Sequence, residues 1–311
     1  MKNFTILANL ATVCLCAAAC QSTVENSEVP TTRPRAKVQL VCGMAVTPTA
    51  NYHEMRAQLT ANGKAMTDLY IFDYDKQSGR LLQVLHQTSI APDFAEPELT
   101  LDYGEHVLKV IASRSEVSVL QTENHTPYPI ADNTLTPMTD GNCPTLWTSN
   151  KTSDSFGAVR EVSVGIGTAQ RVDLTLDRLV AKLVVKSTDT LPIDCSTIEV
   201  TLNEHRDFTW QTFDVTEAVK NQRTTDVSTL AGKTGTTISY FLLAPKRSYT
   251  TDVTFKVNRK GGTPYATFTV PNVPLERNKI TTITGSLYNH AQGVSVSLND
   301  QWQEIGNDIA I

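Results

Sequence analysis

The chain has 311 residues and a net charge of −5, and it contains no basic cluster, so its composition argues against a nucleic-acid-binding protein. Aromatic residues make up only 7% of the sequence, which leaves few side chains for stacking on sugar rings. The length is sufficient for two domains of ordinary size, each with its own hydrophobic core.

The N-terminal segment has the pattern of a secretory signal. Lys2 is followed by an apolar run from Phe4 to Ala19, which is shorter than the roughly 20 apolar residues that a membrane-spanning helix needs. Three alanines precede Cys20, as in the signals that the lipoprotein signal peptidase cuts. We therefore predict a signal peptide over residues 1–19 and a lipid anchor on Cys20. The alternative is an ordinary secretory signal, with Cys20 as an unmodified thiol.

Residues 20–35 are predicted to form a flexible tether, because Ser, Thr, Pro, Glu and Asn dominate this segment and offer little to bury. Of the six cysteines, two leave with the signal peptide and Cys20 is lipidated. Only Cys42, Cys143 and Cys195 remain, which permits at most one disulfide and indicates buried or spare thiols.

After the tether, apolar and polar residues alternate with the period of two that is typical of β-strands. Val38, Leu40 and Cys42 fall on one face of the first predicted strand. We predict an antiparallel β-sandwich domain over residues 36–158. Besides the first strand it contains two predicted hairpins, formed by residues 69–72 with 81–85 and by residues 99–101 with 106–111.

A second β-sandwich domain is predicted over residues 159–311. Residues 124–154, rich in Pro, Asn, Thr and Asp, are predicted to be a long loop or a boundary region. A helix is predicted only at residues 215–221. The predicted strands are residues 162–164, 172–176, 183–185, 197–202, 238–243, 253–257, 266–270, 280–287 and 294–298, and the 253–270 hairpin should bury the face formed by Phe255, Val257, Phe268 and Val270.

The residue patterns of known catalytic and metal sites are incomplete in this sequence. His53 could begin a zinc-protease helix, but Ala57 stands at the position of the second histidine. Asp73 and Asp75 resemble a calcium loop, but Val84 stands where the final carboxylate ligand belongs. The chain has no Gly-x-Ser-x-Gly motif, and its histidines are scattered singly. We therefore predict a protein that is not an enzyme and that has no metal site and no cofactor.

Three segments resemble motifs of the fimbrillin-like fimbrial subunits of Bacteroidia. Leu69–Asp73 resembles their "lyvFD" strand, and Arg178–Leu183 resembles their "R-x-v-A-K-v" strand near the domain junction. Val273–Lys279 resembles their late "v-p-L-x-R-N" motif. The order and spacing of the three motifs are more specific than any one of them, and together with the lipoprotein signal they span nearly the whole chain. The chain is most similar to the branch of anchoring and accessory subunits.

The resemblance implies two transthyretin-like antiparallel β-sandwich domains without enzymatic activity. It implies a structural subunit of cell-surface fimbriae that supports adhesion, with other fimbrial subunits as partners. It also implies a surface-exposed position on the outer membrane, to which the lipid on Cys20 would attach the chain. The alternative is a tethered glycan-binding lipoprotein of the outer membrane, which should present several aromatic side chains on one exposed face.

The resemblance further implies assembly by β-strand complementation, in which one chain completes the sandwich of another. In polymerising members of the family, cleavage after an arginine removes the first strand, and Arg56 lies at a suitable position. In an anchor, cleavage at Arg56 would separate the fold from Cys20, so we expect residues 20–311 to stay continuous. Two segments have the required alternation: Val38, Leu40 and Cys42 in the first predicted strand, and Val294, Val296 and Leu298 near the C terminus.

Metabolic labelling with a fatty acid tests the anchor. The wild-type protein should take up label, whereas Cys20→Ala should not, because the thiol that accepts the diacylglycerol is absent. Cys143→Ala is the matched control, since it also removes a thiol but leaves the predicted lipidation site in place. Label that persists in Cys20→Ala would show that the lipid is elsewhere.

Overall fold

A computed structural model describes residues 34–44, 59–61, 64–114, 154–166, 170–205, 215, 217–288, 292–299 and 309–310. The predicted signal peptide, the tether up to residue 33 and the predicted loop up to residue 153 lie outside the described residues. Within the described ranges, no helix has the length and apolar character needed to cross a membrane. The described residues from Pro34 onward belong to one compact unit.

The first half of the described chain forms a seven-stranded sheet that folds over on itself. Its strands follow the order β5-β4-β7-β8-β9-β1-β6, and the short β2 and β3 pair with each other. The bounds are β1 (Arg35–Met44), β2 (Thr60–Ala61), β3 (Lys64–Ala65), β4 (Asp68–Asp75), β5 (Leu81–Thr88), β6 (Glu98–Asp102), β7 (Gly104–Ser113), β8 (Ser155–Val164) and β9 (Gln170–Arg178).

This sheet becomes a sandwich because β8 and β9 pair only where Phe156 and Gly157 face Arg178 and Asp177. Beyond that point the two halves of the sheet separate and enclose one apolar core. Alternating apolar residues from both halves fill it, as expected for two packed layers. The prediction of an all-β sandwich is therefore confirmed, as is the β4–β5 hairpin.

The predicted hairpin between residues 99–101 and 106–111 is wrong. The strand β6 pairs with β1, whereas β7 pairs with β4 and β8. The short link at Tyr103 carries the chain from one layer to the other, and Gly104 has a φ of +143°, a value that side chains disfavour. A corner between layers and a hairpin turn therefore look alike in sequence.

The second half forms a second curled sheet. Its main path is β15-β14-β11-β13-β10-β16-β17, with β12 paired to β11 and β18 paired to β13. The strand β11 touches β13 only at His205 and Leu243, so here too the sheet divides into two layers around a core. The bounds are β10 (Val180–Ser187), β11 (Cys195–His205), β12 (Ala218–Asp226), β13 (Thr237–Leu243), β14 (Tyr249–Arg259), β15 (Pro264–Leu275), β16 (Ile280–Ser286), β17 (Gln292–Asn299) and β18 (Ile309–Ala310).

The helix predicted at residues 215–221 is wrong, because this part of the chain leads into strand β12. Asn221 and Arg223 on that strand donate hydrogen bonds to the buried carboxylate of Glu204, and Thr225 bonds to the hydroxyl of Tyr240. The inward face of β12 is thus polar, and the alternation that identifies strands elsewhere is hidden here.

The β14–β15 hairpin is confirmed, and most of its predicted inner face is buried. Phe255, Val257 and Val270 lie in the core, whereas Phe268 is half-buried. The rings of Phe255 and Phe268 stack with their centroids 5.1 Å apart. Phe268 therefore forms the rim of the core, not its centre.

The predicted boundary at residues 158/159 falls inside β8, which belongs wholly to the first sheet. The chain leaves that sheet at Arg178 and enters the second at Val180. The Pro-rich stretch resembled a boundary, but it connects β7 to β8, two neighbouring strands of one sheet. We therefore propose that the two sandwiches divide at Leu179.

An apolar cluster joins the two sandwiches. The outer face of β4 contributes Tyr70, Phe72 and Tyr74, which pack in one cluster with residues of the second sheet such as Val180 and Phe241. Aromatic side chains bury large areas, so this contact holds the two sandwiches together over a substantial surface.

A buried ion pair lies at the same junction. The guanidinium of Arg178 donates to both carboxylate oxygens of Asp154, with Nε–Oδ1 and Nη2–Oδ2 distances of 2.8 and 2.9 Å, and neither side chain is exposed. Its remaining nitrogen, Nη1, donates to Oδ1 of Asn278 at 2.9 Å. The guanidinium also lies 4.7 Å from the ring centroid of Phe156. A buried bidentate pair of this kind requires both partners, because either charge alone would be costly.

Removing the arginine should destabilise the fold strongly. Arg178→Met removes the bidentate partner of the buried Asp154 carboxylate and leaves Nη2 of Arg114 3.5 Å from it. Because this second cation offsets part of the charge, we expect a loss of about 3 kcal/mol in the free energy of unfolding, the lower end of the range for a broken buried pair. The control is Arg171→Met on the same strand, which breaks a half-exposed pair with Asp173 and should cost less than about 1 kcal/mol. Urea unfolding compares the two, and equal effects would contradict the prediction.

Candidate assembly strands

The strand β1 lies inside the first sheet, between β6 and β9. It pairs antiparallel to β6 from Arg35 to Gln39 and parallel to β9 from Val38 to Met44. Neither neighbour adjoins it in sequence, since Val38 faces both Leu99 and Gln170. No hairpin turn therefore ties β1 to the strands that hold it.

The side chains predicted to fill the core from β1 do so. Val38, Leu40 and Cys42 are 0% exposed and lie in the core cluster of the first sandwich, which also contains Leu99 and Leu174. Apolar burial and two ladders of backbone hydrogen bonds therefore provide most of the free energy that keeps β1 in the sheet.

Two of the three remaining cysteines are buried and unpaired by disulfides, as predicted, and Cys143 lies outside the described residues. Burial raises the pKa of the Cys42 thiol to about 12, with a further contribution from Glu96. Burial also raises the pKa of Cys195 to about 11, and Asp194 adds to it. Both thiols therefore stay protonated near neutral pH, which suits packing and not reactivity.

The exposed rim of β1 carries two ion pairs. Arg35 lies 2.7 Å from Asp102, and Lys37 lies 2.7 Å from Glu98. Pairs this exposed contribute little to stability. Their main effect is therefore to fix the register of β1 against β6.

The strand β17 ends the second sheet, and β16 is its one partner in the part of the chain that the structure describes. Its predicted apolar residues lie on one face. Val294 is half-buried against the core, whereas Val296 and Leu298 are 38% and 37% exposed. An edge strand with exposed apolar side chains offers both a backbone and a side-chain surface to another chain.

The close fit of β17 against β16 depends on Gly285, where the register shifts. A Cβ at this position would lie 2.9 Å from the backbone Cα of Val294. Any larger residue would therefore push β17 away from β16, because backbone atoms cannot yield as a flexible side chain can.

The opposite edge of the same sheet, β15, is built differently. It contains Pro264, Pro271 and Pro274, which have no N–H to donate to a further strand. Prolines on an edge discourage pairing with another chain. Of these two edges, β17 is the one left open to a new strand.

The remaining site residues of the sequence analysis, Cys20 and Arg56, lie outside the described residues. The structure does not bring β1 and β17 together, because they belong to different sheets. Across the residues described, no group of three or more His, Cys, Asp or Glu is placed to hold a metal ion.

The three motifs behind the family resemblance meet at the junction of the sandwiches. Arg178 bonds to Asn278, and the backbone N–H of Asn278 donates to the carbonyl of Val180 at 2.9 Å. Arg277 donates to the carbonyl of Ala244 at 2.9 Å. Asp154, the partner of Arg178, was not predicted from the sequence, since it ends a stretch of polar loop residues.

Comparison with known proteins gives a family and a fold. The model of a family of unknown function, DUF6562, matches residues 121–309. No curated protein matches the chain.

Three solved structures illustrate the structural similarity. A protein from Bacteroides thetaiotaomicron, named as a putative polysaccharide binding protein, is 11% identical with a TM-score of 0.51, over 86% of this chain and 99% of that one. A putative adhesin from Bacteroides ovatus is 12% identical with a TM-score of 0.50, over 88% and 97%. The fimbrial anchor protein Mfa2 from Porphyromonas gingivalis is 13% identical with a TM-score of 0.45, over 81% and 91%.

A putative adhesin of Bacteroides ovatus is thus among the proteins that share this fold. At these identities the first two structures establish a shared fold. Because the family model covers more than half of the chain, the protein belongs to the family of unknown function DUF6562.

Proposed function

We propose that this protein is a structural subunit of cell-surface fimbriae, an anchoring or accessory lipoprotein that assembles by β-strand complementation and supports adhesion. One observation carries the proposal: β1, the first strand after the predicted tether, lies between β6 and β9 with Val38, Leu40 and Cys42 buried and without a hairpin to either neighbour. Such a strand can be supplied by the chain itself or by another chain.

The groove that β1 occupies has the properties that strand exchange requires. Without β1, the facing edges of β6 and β9 would expose unpaired backbone groups, and the positions of Val38, Leu40 and Cys42 would be empty pockets. A strand with apolar residues at every second position would pair with these backbone groups and fill these pockets. Backbone hydrogen bonds would provide the affinity for the incoming strand. The pockets would determine which of its side chains fit.

The edge strand β17 is the proposed contact for a neighbouring subunit. Its outer edge is open among the described strands, and Val296 and Leu298 offer an apolar face, whereas the prolines of β15 discourage pairing at the opposite end of the same path. In this proposal, the anchor keeps its own β1 and receives its partner through the second sandwich.

The lipid on Cys20 and the intact chain complete the proposal. An anchor must remain joined to its lipid, so we propose that residues 20–311 stay continuous and that Arg56 is not cleaved. The adhesin name of the Bacteroides ovatus neighbour agrees with this function. The name of the Bacteroides thetaiotaomicron neighbour agrees with the second candidate, a tethered glycan-binding lipoprotein.

Analysis of the N terminus of protein from assembled fimbriae tests the anchor. We expect a lipid-blocked chain that begins at Cys20, because cleavage at Arg56 would release the fold from the membrane. A chain that begins at Ala57 would refute the anchor and make this a stalk or tip subunit.

A pull-down from surface extracts tests the open edge. The double variant Val296→Lys with Leu298→Lys should lose the fimbrial proteins that the wild type recovers, because two charges would be buried at the contact. The melting temperature should hardly change, since both side chains are more than one-third exposed.

The matched control is Val159→Lys on β8, a valine of the same exposure, 37%, in the first sandwich. It should retain the fimbrial proteins. Recovery of a polysaccharide in place of fimbrial proteins, by wild type and variants alike, would favour the glycan-binding candidate.

A further inference from the structure

A buried histidine–carboxylate pair lies in the first sandwich. His106 on β7 and Asp73 on β4 are each 2% exposed, and Nδ1 of the histidine lies 2.7 Å from Oδ1 of the carboxyl group. The second ring nitrogen, Nε2, lies 2.8 Å from the carbonyl oxygen of Asp102. Both nitrogens of one imidazole ring are therefore engaged in the interior.

The partners fix where the protons are. A carbonyl oxygen only accepts, so Nε2 must donate to Asp102. The other oxygen of Asp73, Oδ2, accepts from the side-chain amide of Gln83 at 3.3 Å. One further proton is then shared between Nδ1 and Oδ1. While it is present the pair is neutral overall, and when it leaves, a negative charge remains buried without compensation.

The pair fastens the corner between β6 and β7. Asp102 is the last residue of β6, and while its carbonyl binds His106, its carboxylate accepts from Nε of Arg35 at 2.7 Å. The next residue, Tyr103, donates its backbone N–H to the carbonyl of Pro34 at 2.8 Å. Pro34 and Arg35 are the entry to β1, so the corner held by His106 in turn holds the start of that strand.

We propose that His106 is a proton-controlled latch: while the proton shared with Asp73 is present, the buried ring holds the β6–β7 corner and the start of β1. When that proton leaves, Nε2–H can still donate to Asp102, but the uncompensated charge on Asp73 destabilises the buried pair and loosens the corner. This device is independent of whether β1 is ever exchanged between chains. It places the sensitive group at the point where the chain enters its first sandwich.

The surroundings of His106 are mainly acidic and favour its protonated form. Its hydrogen bond to Asp73 raises the pKa above the usual 6.5, burial opposes this, and the charges of Asp73 and Asp102 add to the rise. The acidic groups on the neighbouring elements include Asp73 and Asp75 on β4, Asp102 on β6, Glu105 on β7 and Glu161 on β8, and the cationic groups include Lys76 after β4, Lys109 on β7, Arg160 on β8, and Arg35 and Lys37 on β1. Burial lowers the pKa of Lys109 to about 7.

The direction of the pH effect follows from this shift. A histidine whose pKa is raised in the folded state adds stability that is fully present below its unfolded-state value of 6.5. That stability is lost as the pH rises through the folded-state pKa. The latch is therefore closed in mildly acidic medium and loosens as the medium becomes alkaline.

Two measurements on the intact wild-type protein test the latch. An NMR titration of the His106 ring should give a midpoint above 6.5, the unfolded-state value. Amide hydrogen exchange, corrected for the intrinsic effect of pH, should show that the protection of the Tyr103 N–H falls over the same pH range. A midpoint at or below the unfolded-state value, or protection of Tyr103 that does not follow the titration, would overturn the proposal.

Variants separate the latch from other histidines. His106→Gln should remove the pH dependence of Tyr103 protection, whereas His86→Gln should leave it intact, although His86 also contacts a carboxylate, Asp68, at 2.9 Å. Identical pH profiles for His106→Gln and the wild type would contradict the proposal. If His106→Gln fails to fold, the wild-type titration and exchange data decide alone.

Discussion

The buried guanidinium of Arg178 lies where the two sandwiches join. Arg178 ends the last strand of the first sandwich, its carboxylate partner Asp154 stands before β8, and its amide partner, Asn278, stands before β16. Because the ion pair has no exposure to water, both charges must be satisfied at once, and three segments that are distant in sequence are fixed relative to one another. Near this point β9 ends, and β8, β10 and β16 begin.

The aromatic face of β4 surrounds that charged centre with apolar contacts. Tyr70 and Phe72 pack toward the second sandwich, while the neighbouring Asp73 points inward to His106. One strand therefore serves the joint between the sandwiches on one face and the corner that holds β1 on the other. In the strand that resembles the "lyvFD" motif, the aromatic residues thus pack between the sandwiches, and the acidic residue binds His106.

Local patterns predicted much of this fold, and non-local pairing accounts for what they missed. The alternation at Val38, Leu40 and Cys42 correctly identified a buried strand, but its parallel partner β9 lies far along the chain and leaves no local signal. The inward side chains of β12 are polar, so this strand lacks the alternation of apolar and polar residues that identifies a strand in the sequence. Asp154 closes a loop-like stretch, and only the folded chain reveals that it is the counter-charge of Arg178.

The position of β1 also determines how the molecule responds to force. A pull on Pro34 directed away from the fold along the chain acts along the axis of β1, while the hydrogen bonds to β6 and β9 run across that axis. The load is then shared by both ladders at once, in shear, and does not open them one bond at a time. A force applied through the N-terminal segment would thus load β1 in shear, because this strand is paired on both sides.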